Sequence, residues 1–332
     1  MGKSYDIAVV GATGAVGIEL LDVLARREFP VGDLRLLASA RSAGKTMHFR
    51  GEQIPVAELR DDAFTGVDLA FFSAGGEISR KFAPVAARAG AIVIDNSSAF
   101  RMDRDVPLVI PEINRNDVHE HRGIIANPNC TTAVALIALY PLHVAFGVRR
   151  VFASSYQAVS GSGARAIAEL KRQVAEADAE IPAKPEIYPH PIAFNVLPHV
   201  DAFLESGYTK EEMKMQNEGR RIMHLPDFRA SVTCVRVPVY RAHSVAISAE
   251  FERAVSVEDA REVLRAAPGL DVIDEPANSR YPMPIVAAGR DNCQVGRLRL
   301  DCAFENGLAL WVSGDQLLKG AALNAVQIAE LL

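Results

Sequence analysis

The 332-residue chain lacks the features that mark several protein classes. Four cysteines without a CxxC pair argue against a disulfide framework and a structural zinc site, so no metal is predicted. The formal net charge is −5 and no polybasic run occurs, so no nucleic-acid partner is expected. No apolar run reaches the roughly 18 residues of a membrane-spanning helix. The first strand-like run begins too early for a secretory signal, and we expect a reducing, cytoplasmic location.

The composition is that of a globular protein, with 49% hydrophobic and 23% charged residues. Up to about residue 130, apolar runs at 5–10, 34–38, 67–73 and 91–95 alternate with helical patterns such as 14–28. Continuous apolar runs separated by helices are typical of a parallel sheet buried on both faces. We therefore predict an α/β Rossmann-type domain in this part of the chain.

The pattern changes near Asn129, where we place the domain boundary. A buried helix is predicted over 133–142, and Pro141 is expected to stop it. Further helices are predicted at 163–177, 208–223 and 256–267, and the proline-rich segment 182–198 is expected to be an ordered loop. Strands are predicted at 148–159, at 231–238 and 244–252 around a turn, and at 294–304 and 308–313 as a hairpin. Antiparallel strands of this kind predict an α+β second domain.

A glycine fingerprint follows the first predicted strand. Gly11-Ala-Thr13-Gly14-Ala15-Val16-Gly17 opens a predicted helix, which is the position where such a loop binds a pyrophosphate. The spacing is GxxGxxG rather than GxGxxG, a looser variant, and the alternative is an ordinary glycine-rich turn. We predict nucleotide binding here.

The segment after the second predicted strand indicates which nucleotide binds. NAD sites usually place an acidic residue there, whereas this chain has Ser39, Arg41, Ser42 and Lys45. A guanidinium and hydroxyls suit a 2′-phosphate, so NADP is favoured over NAD. The alternative is a solvated basic loop. Ser73, which ends a later strand at the same sheet edge, is predicted to touch the cofactor or to form a plain turn.

Cys130 is the strongest candidate for a nucleophile. It follows a short apolar run and precedes a helical pattern, so it should lie at a helix N-terminus, where the dipole stabilises a thiolate and lowers its pKa. A thiolate beside a nicotinamide can add to an aldehyde, and loss of hydride then yields a thioester. The other three cysteines, Cys234, Cys293 and Cys302, are expected to be buried small hydrophobes.

A base for this chemistry is harder to choose among eight histidines. The segment from Arg236 to His243 is the most suggestive, because it places a guanidinium seven residues before an imidazole, on a strand and the turn after it. The residues alone leave open a surface turn with a hydrogen-bonded histidine.

In these and several further motifs the chain resembles the bacterial aspartate-semialdehyde dehydrogenases. The matching motifs occur in the family's order and span nearly the whole chain. They are GATGAVG at the start, SARSAGK after the second strand, SSAFR ending at Arg101, NPNCTT around Cys130, SYQAVSGSG around Gln157, EEMK at 211–214, the segment from Arg236 to His243, and GDQLLKGAALNAVQIAE near the C-terminus.

The resemblance implies a role for each matched position. Cys130 would be the thioester nucleophile, His243 the general acid/base, and Gln157 would orient substrate and histidine. The substrate contacts would be Gln157, Arg236 for the α-carboxylate and Glu211 for the amino group, with Glu212 left open as the alternative. The phosphate contacts would be Arg101, Asn129 and Lys214. The cofactor contacts would be Gly11, Thr13, Gly14, Ala15, Val16, Ser39, Arg41, Ser42, Ser73, Ser160, Gly161 and Gln316.

The resemblance also implies the reaction and the assembly. L-aspartate 4-semialdehyde, NADP and inorganic phosphate would be interconverted with 4-phospho-L-aspartate and NADPH, in lysine, threonine and methionine biosynthesis. The protein would be a homodimer. An NADP-binding domain would comprise residues 1–129 with 315–332, and a catalytic and dimerisation domain residues 130–314.

Three other classes of protein share parts of this pattern. N-acetyl-gamma-glutamyl-phosphate reductase shares the reaction type but usually has Gly before and Tyr after its cysteine, where this chain has Asn129 and Thr131. A glyceraldehyde-3-phosphate dehydrogenase would have Asn where Ala133 stands. A non-catalytic Rossmann-fold sensor would have no need of Cys130 at a helix start.

Overall fold

The computed structural model describes residues 4–332 and divides the chain into two compact units. The first ends at Asn129 and resumes with Ala321–Leu332, and the second is Cys130–Gly320. The segment 315–320, expected to join the nucleotide-binding domain, therefore groups with the second unit. The reason is that side chains of this segment bond to that unit: Asp315 accepts hydrogen bonds from Arg241 and Gly289.

The first unit alternates strands and helices from its start. Its elements are β1 (Tyr5–Val10), α1 (Ala15–Arg26), β2 (Val31–Ala38), β3 (Thr46–Phe49), β4 (Glu52–Glu58), β5 (Leu69–Phe72), α2 (Gly76–Arg88), β6 (Ile92–Asp95), α3 (Pro111–Asn114) and β7 (Ile124–Ala126). The predicted apolar runs are strands because their side chains are buried on both faces of the sheet, as Phe71 and Phe72 are in β5.

The strands form one sheet in the order β3-β4-β2-β1-β5-β6-β7, parallel except for the antiparallel pair β3 and β4. The chain lays β2 on one side of β1 and later crosses to lay β5 on the other. The carboxyl ends of β1 and β5 therefore form a topological switch point, where open α/β sheets bind ligands. The β3–β4 hairpin was not predicted. Its signal is Arg50-Gly51, which joins the strands with both φ angles positive.

The second unit packs its first helix against a mixed six-stranded sheet. Its elements are α4 (Cys130–Phe146), β8 (Val148–Gln157), α5 (Ala164–Asp178), α6 (Lys210–Ile222), β9 (Arg229–Arg236), β10 (His243–Phe251), α7 (Val257–Ala266), β11 (Leu270–Val272), α8 (Pro284–Ala287), β12 (Cys293–Leu300) and β13 (Gly307–Gly314).

The sheet order of the second unit is β11-β12-β13-β10-β8-β9. The strands β9 and β10, expected around a turn, are not paired with each other, because β8 lies between them. β8 pairs parallel with β9 and antiparallel with β10. A parallel pair needs a long crossover, and α5, the loop 182–198 and α6 supply it. The predicted hairpin of β12 and β13 is confirmed.

Helix α4 does not stop at Pro141 as expected; it runs five residues further, to Phe146. An interior proline costs about 3 kcal/mol. The burial of Leu136, Leu139 and Leu142 offsets this cost, because each fully buried leucine contributes about 1.5–3 kcal/mol. The helix ends instead before Gly147, whose φ of +73° is the left-handed conformation of a glycine C-cap.

The loop 182–198 contains no helix or strand and is held by buried side chains of α5. Glu169 accepts hydrogen bonds from the backbone N–H groups of Glu186 and Ile187, and Gln173 accepts from those of Ile192 and Ala193. Glu169 and Gln173 are buried, so these bonds satisfy polar groups on both sides.

Past β13 the chain makes a π-helical turn, Leu318–Ala322, that continues into α9 (Leu323–Ala329). Helix α9 packs against α1, α3 and β6 of the first unit. Asn324 of α9 donates to the Val109 carbonyl and to Asn127 Oδ1. No helix within residues 4–332 is long and apolar enough to cross a membrane.

Candidate active site

The glycine loop of the first unit lies against the loop after β5. A Cβ atom on Gly11, whose φ is +85°, would lie 2.5 Å from the Ser73 carbonyl oxygen. A Cβ on Gly17 would lie 2.4 Å from the Gly11 carbonyl oxygen. Both positions therefore need glycine, because only a residue without a side chain permits this close backbone approach.

Helix α1 begins directly at this loop with its first-turn amides free of a side-chain cap. Gly14 is the N-cap residue and has no side chain to bond them, and the first turn holds no acidic residue. The partial positive charge of the N-terminus is thus available to an anion. This geometry fits a pyrophosphate bound over Gly14, Ala15 and Val16.

The segment after β2 lies beside the glycine loop. Thr13 Oγ1 is 3.4 Å from Ser42 Oγ. Ser39 and Arg41 are exposed, and the Arg41 guanidinium forms no ion pair within residues 4–332. An unneutralised guanidinium beside two hydroxyls at the carboxyl end of β2 fits a phosphate on the nucleotide ribose.

Arg101 is buried in the first unit and anchored by two backbone carbonyls. Its Nε donates to the Asn127 carbonyl at 2.9 Å and its Nη2 to the Asn96 carbonyl at 2.9 Å. Asn127 in turn donates to Asn96 Oδ1. These bonds fix the guanidinium plane. Asn129, two residues after Asn127, is also buried.

Cys130 is the first residue of α4, as predicted. Gly320 lies directly against it, because a Cβ on Gly320 would be 2.6 Å from the Cys130 Cβ. The next residue, Thr131, accepts a hydrogen bond from Gln157 Nε2, which ties the helix start to the end of β8. Thr131 and Gly320 were not predicted as site residues, although both lie within the matched motifs.

Gln157 and Ala158 connect the nucleophile to the other candidate groups. The Ala158 N–H donates to His243 Nδ1 at 3.0 Å, and the Ala158 carbonyl accepts from Arg236 Nη1 at 2.7 Å. Arg236 ends β9 and His243 begins β10, the two strands that flank β8. Both side chains are buried, so the surface turn left open by the residues alone is wrong.

His243 is neutral in this environment. Burial and, to a smaller extent, the positive charge of Arg236 lower its pKa to about 3, although Glu211 opposes the shift. Because the Ala158 N–H donates to Nδ1, the proton of the neutral ring is on Nε2. A Cβ on Gly161 would lie 3.2 Å from this Nε2 and 2.9 Å from Arg236 Nη1, so Gly161 leaves the donor uncovered by a side chain.

Glu211 and Glu212 have different surroundings, although they are neighbours on α6. Glu212 Oε2 accepts from the Thr209 N–H in a capping box, and its Oε1 accepts from the Cys234 N–H. Glu211 Oε1 accepts from Gln157 at 2.9 Å, and its Oε2 accepts from Lys214 at 2.8 Å. The Thr-x-x-Glu pattern of a capping box could have assigned Glu212 from the sequence.

Lys214 is held between two carboxylates. It donates to Glu211 and, at 3.0 Å, to Asp201 Oδ2. The two carboxylates raise its pKa and outweigh the desolvation that lowers it. Lys214 therefore stays charged, with Asp201 as its more exposed partner.

Two buried polar atoms of this cluster have no hydrogen-bond partner within residues 4–332: Gln157 Oε1 and Arg236 Nε. Buried groups of this kind are normally satisfied, so an unpartnered acceptor beside an unpartnered cationic donor indicates a place for a polar ligand. The Tyr188 ring lies 5.9 Å from the Arg236 guanidinium carbon, at the limit of a cation–π contact.

The remaining cysteines divide into two groups. Cys234 and Cys293 are buried as expected, and burial raises the pKa of Cys234 to about 12. Cys302 is exposed, contrary to expectation, because β12 ends at Leu300 and Cys302 falls in the connection to β13. Within residues 4–332, no group of three or more His, Cys, Asp or Glu side chains could hold a metal ion.

Two family models match this chain. The model for "Semialdehyde dehydrogenase, NAD binding domain" matches residues 6–121. The model for "Semialdehyde dehydrogenase, dimerisation domain" matches residues 139–319. Together they confirm the predicted fold class of a Rossmann-type domain followed by a dimerisation domain.

Individual proteins agree with the family models. An aspartate-semialdehyde dehydrogenase of Aquifex aeolicus is 54% identical over 332 residues, covering 99% of this chain and 98% of the relative. Aspartate semialdehyde dehydrogenase II from Vibrio cholerae, complexed with ASA, superimposes with a TM-score of 0.97 at 44% identity, over 100% of this chain and 98% of that chain. The Candida albicans enzyme with NADP gives a TM-score of 0.77 at 25% identity, over 99% and 98%. The chain belongs to the aspartate-semialdehyde dehydrogenase family.

Proposed function

We propose that this chain interconverts L-aspartate 4-semialdehyde and 4-phospho-L-aspartate, using NADP and inorganic phosphate, through a thioester on Cys130. The observation that carries the proposal is the hydrogen-bonded cluster around Gln157 and Ala158. It gathers a cysteine helix start, a buried arginine, a carboxylate and a neutral histidine in one unit.

The charged groups of this cluster match the two ends of an amino acid. Arg236, with its unpartnered Nε, would pair with the α-carboxylate. The Glu211 carboxylate and Gln157 Oε1 would receive the ammonium group. Glu212 does not compete for this role, because its partners are backbone N–H groups that hold it in place. The partners of Glu211 are the side chains of Gln157 and Lys214, which can adjust to a substrate. A carboxylate suits a free ammonium better than an acetylated amine, which disfavours N-acetyl-gamma-glutamyl-phosphate reductase.

Cys130 and His243 would perform the chemistry. The thiolate, stabilised by the N-terminus of α4, adds to the aldehyde carbon and gives a thiohemiacetal. His243 Nε2–H donates a hydrogen bond to the aldehyde oxygen as negative charge develops there. Of the predicted acid/base role, the proposal therefore keeps the part of a neutral hydrogen-bond donor. NADP, when bound, supplies the hydride acceptor. Phosphate then attacks the thioester carbon, and Cys130 leaves as a thiolate.

The proposed phosphate contacts are the three predicted residues, Arg101, Asn129 and Lys214. In the first unit, two backbone carbonyls hold the Arg101 guanidinium in a fixed orientation, and Asn129 directly precedes the nucleophile. In the second unit, Lys214 remains charged and is partly exposed. Asp201 would have to yield part of its contact with Lys214 to the arriving anion.

NADP rather than NAD is proposed as the cofactor. The support is the exposed Arg41 beside Ser39 and Ser42, where an acidic residue is absent. The proposed contacts are those predicted: Gly11, Thr13, Gly14, Ala15, Val16, Ser39, Arg41, Ser42, Ser73, Ser160, Gly161 and Gln316.

A homodimer is proposed from one face of the six-stranded sheet. α4, α6 and α7 cover its other face. Along β8, Val151 and Ala153 are buried, whereas Phe152 and Tyr156 are 50% and 36% exposed. Trp311 on β13 lies on the same face as Tyr156, with the two ring centroids 5.1 Å apart. An apolar sheet face of this kind suits a self-complementary twofold contact. We also propose a cytoplasmic location, in keeping with four cysteines that form no disulfide within residues 4–332.

The test is to follow NADPH formation with purified protein and L-aspartate 4-semialdehyde, with and without phosphate. Reduction of NADP that depends on both substrates is expected, with a much slower reaction when NAD replaces NADP. Cys130→Ser serves as the matched inactive control.

Other outcomes would change the assignment. Turnover with N-acetylglutamate semialdehyde alone would keep the thioester mechanism and refute the proposed substrate. Nucleotide binding without turnover of either aldehyde would support a non-catalytic Rossmann-fold sensor.

A further inference from the structure

The short connection from β9 to β10 carries an unusual backbone conformation. Residues 237–242 join Arg236 to His243, and Ala242, immediately before His243, has a φ of +72°. An L-residue with a Cβ atom rarely adopts this left-handed conformation. Surrounding contacts must therefore hold it in place, because the chain would otherwise relax and turn His243 away.

Two consecutive side chains after β13 make such contacts. Gln316 Oε1 accepts the Ala242 N–H at 2.8 Å, and Asp315 Oδ2 accepts Arg241 Nε at 2.6 Å. Asp315 also accepts the Gly289 N–H. Both side chains are almost completely buried. They lie just past the β13–β10 pair, in which Gly314 is opposite His243.

The same connection is held on its other side. Gln316 Nε2 donates to Ser160 Oγ. The Val159 N–H donates to the Val239 carbonyl at 2.9 Å, which binds the connection to the segment that follows β8. That segment also carries the Ala158 N–H that donates to His243 Nδ1. The Gln316 amide thus joins the two segments between which the imidazole is oriented.

We propose that Asp315 and Gln316 form a clamp that holds Arg241 and Ala242 in the left-handed turn and so positions His243. Gln316 acts through His243 as a positioning residue, since both its amide oxygen and its amide nitrogen are already bonded within the protein. This inference rests on the proposed role of His243. It gives Gln316 a role in the chemical step in addition to its proposed cofactor contact.

The kinetic test is Gln316→Ala. A displaced histidine lowers kcat, and we expect a loss of roughly tenfold to a hundredfold, since a misplacement of about 1 Å can cost about a hundredfold. The KM for NADP should change by a smaller factor than kcat, because the clamp acts on the histidine. Gln294→Ala is the matched control. Gln294 is a buried glutamine on β12, and its removal should leave kcat within about twofold.

The rescue test is the double variant Gln316→Ala with Ala242→Gly. Glycine adopts positive φ as readily as negative φ, so it lowers the need for the clamp. We expect Ala242→Gly to raise the kcat of Gln316→Ala several-fold. A glutamine that acts on the cofactor would give no such rescue. A raised KM for NADP with unchanged kcat, and no rescue, would overturn the proposal.

A readout independent of activity is hydrogen exchange of the Ala158 amide, measured in wild type and in Gln316→Ala. Gln316 makes no bond to this amide, whose partner is His243 Nδ1. Faster exchange in the variant is expected if the clamp positions His243, and equal exchange would refute the clamp. Hydrogen exchange of the Ala158 amide tests the clamp even if the wild-type protein fails to turn over L-aspartate 4-semialdehyde. That failure would refute only the proposed function.

Discussion

Seven consecutive residues, Gly11–Gly17, build the nucleotide loop of the first unit, whereas the candidate active site of the second unit takes side chains from six separate segments. The loop works through backbone amides and close glycine contacts. The active site works through buried charges, each held by a specific hydrogen bond. A substitution near the exposed loop should therefore act on binding, and one in the buried cluster on the chemical step.

The largest expected effect is on the nucleophile. Cys130→Ser should lower kcat by on the order of a thousandfold or more, because an unactivated hydroxyl adds poorly to an aldehyde. NADPH formation with the semialdehyde and phosphate measures it. Cys302→Ser is the matched control, since Cys302 is exposed in the β12–β13 connection and should leave the rate unchanged. Equal kcat values for Cys130→Ser and wild type would show that Cys130 is not the nucleophile. The contrast between a binding loop and a catalytic cluster would then fail.

The next effect is on the buried histidine. His243→Asn removes the Nε2–H donor and should lower kcat by about a hundredfold or more, with a small change in the KM for NADP. His190→Asn, on the exposed part of the loop 182–198, is the control. A change confined to the KM for NADP would show that His243 acts on cofactor binding. It would contradict the assignment of the buried cluster to the chemical step.

A smaller effect is expected at the segment after β2, which lies beside the nucleotide loop of the first unit. Arg41→Ala should raise the KM for NADP by about tenfold, because a charge-assisted bond to phosphate contributes about 1.5–3 kcal/mol. The KM for NAD and the kcat should change little. Steady-state kinetics with each nucleotide test this, with Arg60→Ala, another exposed arginine of the first unit, as the control. Equal increases for both nucleotides would argue against a 2′-phosphate contact.

The smallest effect concerns stability against pH. The unfolded chain protonates His243 near its ordinary pKa of 6.5, whereas burial and Arg236 lower the folded-state pKa to about 3. The unfolded state therefore binds more protons between these values, and the free energy of unfolding falls as pH drops through that window. Denaturant unfolding of wild type and His243→Asn at several pH values should show a shallower fall for the variant. Parallel pH dependence would contradict the buried, neutral histidine.

Much of this protein could be predicted where the signal is local. The strands β1, β5 and β6 are largely apolar, and β2 ends in the apolar run Leu36–Ala38. The helix start at Cys130 follows from one short apolar run before it. The predictions failed where distant contacts decide. Pro141 lies inside α4 because the helix is buried over residues 131–139 and again at Leu142 and Phe146. Strand β9 pairs with β8 because a long crossover precedes it.

The choice between Glu211 and Glu212 illustrates the same limit. Both are acidic residues in the first turn of α6, and the local Thr-x-x-Glu pattern accounts for only one of the two bonds that occupy Glu212. The capping box with Thr209 and the bond from Cys234 occupy Glu212, so that Glu211 remains beside Gln157. The second of these bonds spans 22 residues and exists only once β9 lies against α6.

By itself the sequence determined the fold class, the family and the identity of the candidate nucleophile, because glycine spacing, apolar runs and motif order are properties of neighbouring residues. Only the tertiary structure decided that His243 is buried and neutral with its proton on Nε2. It also decided that Asp315 and Gln316 hold the turn before His243. These features depend on hydrogen bonds between residues more than seventy positions apart, whose partners meet only when the six-stranded sheet has formed.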